Sequence, residues 1–224
     1  MTEPKLAGVL WDMDGTIVDT EPYWMRAEEE LVASFGGRWT RADSLAVVGA
    51  DLWVSARIFQ THGVDLAADE IVTRLTDRVL EQASVEVPWR PGARELLQGL
   101  NDAGIPCALV TMSLHRMAAQ VVAAMGFDAF AAVVGGDDVT KGKPDAEPYR
   151  HGASLLGLDA AACIAIEDST TGLAAAVASG AVSIGVPAHL DLPLSSDYTL
   201  WPTLEGRTVA DLREHFLTER QDVA

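Results

Sequence analysis

The sequence predicts an α/β protein built on a doubly wound parallel sheet, with a small helical bundle inserted near its start. Three observations carry this. Apolar runs of four to six residues recur between helix-length segments, the pattern of strands buried on both faces. Several of the helical segments close on glycine, where a left-handed terminator suits the chain. One long stretch then breaks the alternation with consecutive helical patterns.

The predicted strands are Leu6 to Trp11, Pro106 to Val110, Ala131 to Val134, Cys163 to Ile166 and Ala181 to Val186. A sixth is expected near Tyr198 to Trp201, where Pro202 stops it. Helical patterns fall at Ala93 to Ala103, Leu114 to Met125, Ala146 to Leu156, Thr171 to Ser179 and Val209 to Phe216, the last followed by a frayed tail. Gly104, Gly126, Gly157 and Gly180 sit at the ends of the first four. The interrupting stretch reads as helices over Pro22 to Phe35, Leu45 to His62 and Asp69 to Ala83. It returns through Pro88-Trp89-Arg90-Pro91-Gly92, whose prolines suit a stiff hinge. The expected organisation is therefore a core of residues 1–19 and 89–224, with residues 20–88 as a helical cap over the carboxyl ends of the strands, where open α/β sheets bind ligands.

Composition narrows the function. Hydrophobic residues at 49% and charged residues at 22% provide for a real core. A formal charge of −17 repels phosphate backbones and anionic lipid, so neither nucleic acid nor membrane is an expected partner. No apolar stretch approaches the roughly 20 residues that span a bilayer. Met1 to Lys5 has no signal-peptide pattern, and Cys107 and Cys163 sit in apolar runs as buried thiols, so a reducing cytoplasm is expected. There are only three lysines, Lys5, Lys141 and Lys143, which makes the position of each informative.

Four strand ends carry chemistry. After the first strand comes Asp12-Met13-Asp14-Gly15-Thr16, in which one carboxylate can attack phosphorus and the other can protonate a leaving alcohol. An Asp-rich turn bonding its own backbone is the plainer alternative. Thr111-Met112-Ser113 follows the second strand, with a hydroxyl and amides able to hold phosphate oxygens, or simply to cap the next helix. Lys143, in Lys141-Gly142-Lys143-Pro144, can neutralise charge between nucleophile and phosphate, or lie in solvent as Lys141 is expected to. Glu167-Asp168-Ser169 ends another strand and offers the oxygen ligands Mg²⁺ prefers, or a helix cap. Independent turns and caps would not supply all four residue types in this order.

Together these motifs resemble the haloacid dehalogenase superfamily, in the subgroup whose helical cap is inserted after the first motif; the likeness runs from Leu6 to about Pro187. It implies a Rossmann-like core and an Mg²⁺-dependent phosphatase acting on a small phosphorylated metabolite. Asp12 would be nucleophile and metal ligand, and Asp14 the acid/base and a metal ligand through its carbonyl. Thr111, Met112 and Lys143 would bind phosphate, and Asp168 and Glu167 would be metal ligands. The stretch Asp19 to Trp24 is similar to that of family phosphatases acting on sugar phosphates, making Glu21 and Trp24 candidates for substrate contact. Asp14 and the acidic pair speak against halide displacement, and the absence of lysine between Glu21 and Val87 speaks against phosphonate cleavage by Schiff base. The rival is a β-phosphoglucomutase-like isomerase, from which Trp24 and Leu52 depart at positions where that enzyme has a histidine and an arginine. A phosphate-binding protein without turnover is a third reading. A monomer or weak dimer is expected.

Overall fold

The computed structural model describes residues 5–48, 50–83 and 87–221. Six strands form one parallel sheet: β1 (Gly8–Trp11), β2 (Cys107–Val110), β3 (Ala132–Val134), β4 (Cys163–Glu167), β5 (Val182–Gly185) and β6 (Thr199–Leu200). Their spatial order is β3-β2-β1-β4-β5-β6. Every residue of β1, β2, β4 and β5 is buried, as strands covered on both faces must be. The register sets Trp11 beside Leu109 of β2 and Ile166 of β4, so three strands end almost level.

Helices α5 (Ala93–Asp102), α6 (His115–Ala124), α7 (Glu147–Leu155), α8 (Thr170–Ser179) and α9 (Val209–Gln221) alternate with the strands or follow them. All four of the expected terminator glycines take positive φ; at Gly180, φ is 92° and α8 turns directly toward β5. Between β1 and α5 lie α1 (Glu21–Ser34), α2 (Arg41–Val47), α3 (Leu52–Thr61) and α4 (Ala68–Ala83), which pack on one another around Val32, Phe59, Ile71 and Val79.

Two sequence expectations are corrected. The stretch Leu45 to His62 is two helices, and the first begins earlier. Thr40 and Asp43 form a reciprocal capping box that starts α2. Asp51 accepts from the amides of Trp53 and Val54, both at 3.0 Å, and starts α3 afresh. Gly49, the poor helix former between them, lies outside the described residues. The last helix also runs beyond Phe216, because Arg220 donates to the carbonyls of Ala161 and Gly180 and ties its final turn to the core.

The chain leaves and re-enters the sheet region along one narrow ribbon. Val18 pairs with Trp89 in an antiparallel bridge, the Asp19 amide donates to Pro88 O at 2.7 Å, and the Arg90 amide donates to Ile17 O at 2.8 Å.

Candidate active site

Strand ends put the four motifs in one place. The ladder continues one residue past β1 and β2, where the Asp12 amide donates to Ile166 O and the Thr111 amide to Val134 O. Asp12, Thr111 and Glu167 are thereby fixed by backbone at the carboxyl edge of the sheet, around its central strand. Lys143 arrives from the connection between β3 and α7.

Lys143 is the hub. Its side chain is only 4% exposed, and Nζ donates to Asp12 Oδ1 at 2.6 Å, Glu167 Oε1 at 2.6 Å and Val110 O at 3.0 Å. Burial alone would depress its pKa, but the Asp12 and Glu167 carboxylates outweigh that and hold the ammonium charged. Lys141, by contrast, is 70% exposed.

Glu167 is clamped on both oxygens. Oε1 accepts from Lys143 and from the Tyr149 phenol at 2.7 Å; Oε2 accepts from the amides of Asp168 and Ser169 and from the Ser169 hydroxyl. Gly172 makes room, since a Cβ there would lie 1.8 Å from Oε1. Capping of α8 falls to Ser169, whose hydroxyl accepts from the Gly172 amide.

Asp12 keeps its second oxygen free: Oδ2 is buried and has no hydrogen-bond partner among the described residues. Burial and the neighbouring Glu167 carboxylate push the Asp12 pKa up to about 7, and burial followed by Asp12 and Glu167 raises Asp168 well above the usual range. One oxygen from each of Asp12, Glu167 and Asp168 lies within 4.8 Å of the others. Gly15, with φ of 85°, leaves room for the Asp168 carboxylate, whose Oδ2 would lie 2.0 Å from an added Cβ. An orphaned carboxylate oxygen, converging acids and their mutual repulsion fit a hard divalent cation with oxygen ligands.

Asp14 is gripped by hydroxyls. Thr20 donates to Oδ1, while Ser113, at 2.7 Å, and Thr111, at 3.3 Å, donate to Oδ2. Neither Thr111 nor Ser113 caps α6; the first amide of that helix donates to Asp137 Oδ1 instead. Met112 sends its thioether to the Lys143 amide at 3.3 Å, packed so closely that a Cβ on Gly142 would meet its methyl at 2.4 Å.

Asp12, Asp14, Thr111, Met112, Lys143 and Asp168 line a cleft with about 110 Å³ of internal space, whose opposite wall comes from α1, α3 and α4. Glu21 and Trp24 line it too. Glu167 is brought to the same place but lies beneath the cleft lining. Sequence reading gave no role to Glu28, Thr20, Tyr149 or His189, and offered Ser113 only within the Thr111-Met112-Ser113 motif. Glu28 was accessible from helical spacing, being four residues beyond Trp24. His189 could not be found that way: it reaches Asp19, 170 positions away, at 2.7 Å.

Residues 6–180 match the family described as haloacid dehalogenase-like hydrolase, and the chain belongs to that family. Hexitol phosphatase A of Escherichia coli is 34% identical over 88% of this chain and 90% of its own. Hexitol phosphatase B of the same organism is 30% identical over 84% and 86%. Among solved structures, a variant of CbbY from Rhodobacter sphaeroides in complex with xylulose-(1,5)bisphosphate superposes with a TM-score of 0.82 and 25% identity, covering 92% of this chain and 99% of that one.

Proposed function

We propose that this phosphoric monoester hydrolase cleaves a small phosphate monoester, of the sugar-phosphate kind, through an aspartyl-phosphate formed on Asp12. The observation that carries the reading is the state of Asp12: one oxygen held by Lys143, the other buried and free at the floor of the cleft.

In the first step Asp12 Oδ2 attacks phosphorus, the bond from phosphorus to the substrate's ester oxygen breaks, and Asp14 gives its proton to that oxygen. In the second, Asp14 takes a proton from water as the water oxygen attacks phosphorus; the bond from phosphorus to Asp12 Oδ2 breaks, releasing inorganic phosphate and restoring the Asp12 carboxylate. Lys143 stays charged throughout and offsets the repulsion between carboxylate and phosphate. Thr111 and the amides following it hold phosphoryl oxygens. Asp12, the Asp14 carbonyl and Asp168 would hold Mg²⁺, with Glu167 beside them, and the ion would supply charge neutralisation between nucleophile and phosphate. Residues 20–88 act as a cap, excluding bulk water and contacting the leaving group.

The test is phosphate release from a panel of sugar and other small monophosphates, with and without Mg²⁺, by wild type and Asp12→Asn. The expected result is Mg²⁺-dependent release that the variant loses, with a phosphoaspartate trapped in the wild type at residue 12. Interconversion of hexose phosphates without release would replace hydrolysis with the mutase reading. Binding without either reaction would make the protein a sensor.

A further inference from the structure

The upper wall of the cleft is chemically unlike its floor. Along α1, Glu21, Trp24 and Glu28 follow at spacings of three and four and so share one face, and all three line the cleft. Trp24 is 7% exposed and Glu28 only 6%. Glu28 is held in place, its Oε2 accepting from Trp39 Nε1 at 3.1 Å. Glu21 has no hydrogen-bond or ion-pair partner among the described residues. Around these carboxyl groups the wall is mainly apolar, formed by Phe59, Val72 and Leu75, with Ser55 beside them.

What the wall lacks matters as much. Among the described lining residues no arginine appears, and the sole lysine, Lys143, is already bonded to Asp12, Glu167 and Val110 O. His189, the other side chain able to carry positive charge, is engaged by Asp19. At the floor of the same cleft lies the unpartnered Asp12 Oδ2, the oxygen that attacks phosphorus in the proposed reaction.

From this we infer that Glu21 and Glu28 are specificity-determining residues that accept hydrogen bonds from a neutral, hydroxyl-rich leaving group, and that they exclude substrates bearing a second phosphate. The inference rests on the phosphatase reading. The oxygens of a carboxyl group accept hydrogen bonds in either protonation state, and vicinal hydroxyls are the matching donors; the Trp24 indole offers an apolar face for the C–H side of such a chain. A second phosphoryl group at this wall would meet two acidic side chains, an apolar surround and, among the described lining residues, no free cation to pair with it. A CbbY variant of the same fold has been solved in complex with a bisphosphate, so the fold itself does not bar one.

The experiment compares kcat/KM for a hexitol monophosphate, a hexose bisphosphate and p-nitrophenyl phosphate in wild type, Glu21→Gln, Glu28→Gln and Glu21→Lys, with circular dichroism to verify folding. In wild type the bisphosphate is expected to be poorer than the monophosphate by about 100-fold, a ratio of the size lost when charged groups meet unpaired. Either Gln variant should lower the ratio of hexitol to p-nitrophenyl turnover about tenfold, because the aryl ester has no hydroxyls to lose. Glu21→Lys should move preference toward the bisphosphate. Equal rates on mono- and bisphosphate, or Gln variants that leave the ratio of hexitol to p-nitrophenyl turnover unchanged, would overturn the inference while leaving phosphatase activity standing. A wild type inactive on all three esters would instead sink the phosphatase reading beneath it.

Discussion

Replacing Gly172 with alanine sets two calculable effects against each other. Gly172 lies within α8, where alanine is favoured over glycine by about 1 kcal/mol, so propensity alone predicts a more stable protein. Geometry predicts the reverse. The new Cβ would fall 1.8 Å from Glu167 Oε1 and 2.1 Å from Oε2, so the carboxylate must move. A carboxylate at the end of a side chain ordinarily moves at little expense, but this one is 1% exposed and receives five hydrogen bonds, from Lys143, Tyr149, Asp168 and twice from Ser169. Breaking a buried ion pair costs about 3–5 kcal/mol. Less the helical gain, Gly172→Ala should lose about 2–4 kcal/mol. Urea unfolding measures this, with Gly99→Ala in α5 as control, since its Cβ would meet only a Val209 methyl at 3.3 Å. The control should hold or gain stability. If both variants behave alike, Glu167 is not clamped and the account of how Lys143 is held fails.

Tyr149→Phe removes one donor to Glu167 and leaves the packing, so a loss of about 1.5–3 kcal/mol in urea is expected. Asp12→Asn should abolish turnover yet stabilise the metal-free protein at pH 8, by on the order of 2 kcal/mol, because a carboxyl raised from 3.8 to about 7 is least favourable when ionised. Added Mg²⁺ should then raise Tm of the wild type and barely affect the variant; a destabilised Asn variant would contradict the geometry. Glu21 is raised from 4.5 to about 8, first by burial and then by Glu28. Its protonated form therefore contributes stability that is complete below about pH 4.5 and lost as pH rises through about 8. Against wild type, Glu21→Gln should gain on the order of 2 kcal/mol at pH 9 and nothing at pH 4, and equal gains at both would refute the assignment.

The sheet was legible because its strands are short apolar runs with no competing reading: Leu6 to Trp11 contains only Gly8 besides large or small apolar residues, and β1 is wholly buried. Lys143 was legible through scarcity, one of three lysines placed at a turn before a helix. Boundaries inside the insertion were not, since the apolar spacing of Leu45 to His62 persists across a break that Asp51 makes by side-chain capping. The support around the motifs was hidden for a different reason. Tyr149 reads as one more apolar position of α7, and nothing local says that its phenol meets Glu167, 18 residues on. Thr20 and Ser113 likewise acquire meaning only when folding brings both to Asp14.

The paired crossings at Val18 and Trp89 make the helical insertion a single excursion from neighbouring points of the chain. Across such a bridge the two backbones lie about 5 Å apart. Any polypeptide whose ends approach to that distance could be grafted in its place without altering the order or register of the strands. Under the proposed reaction, the half of the cleft that meets the leaving group could thus be exchanged as one cassette while the half that meets phosphorus stays as it is.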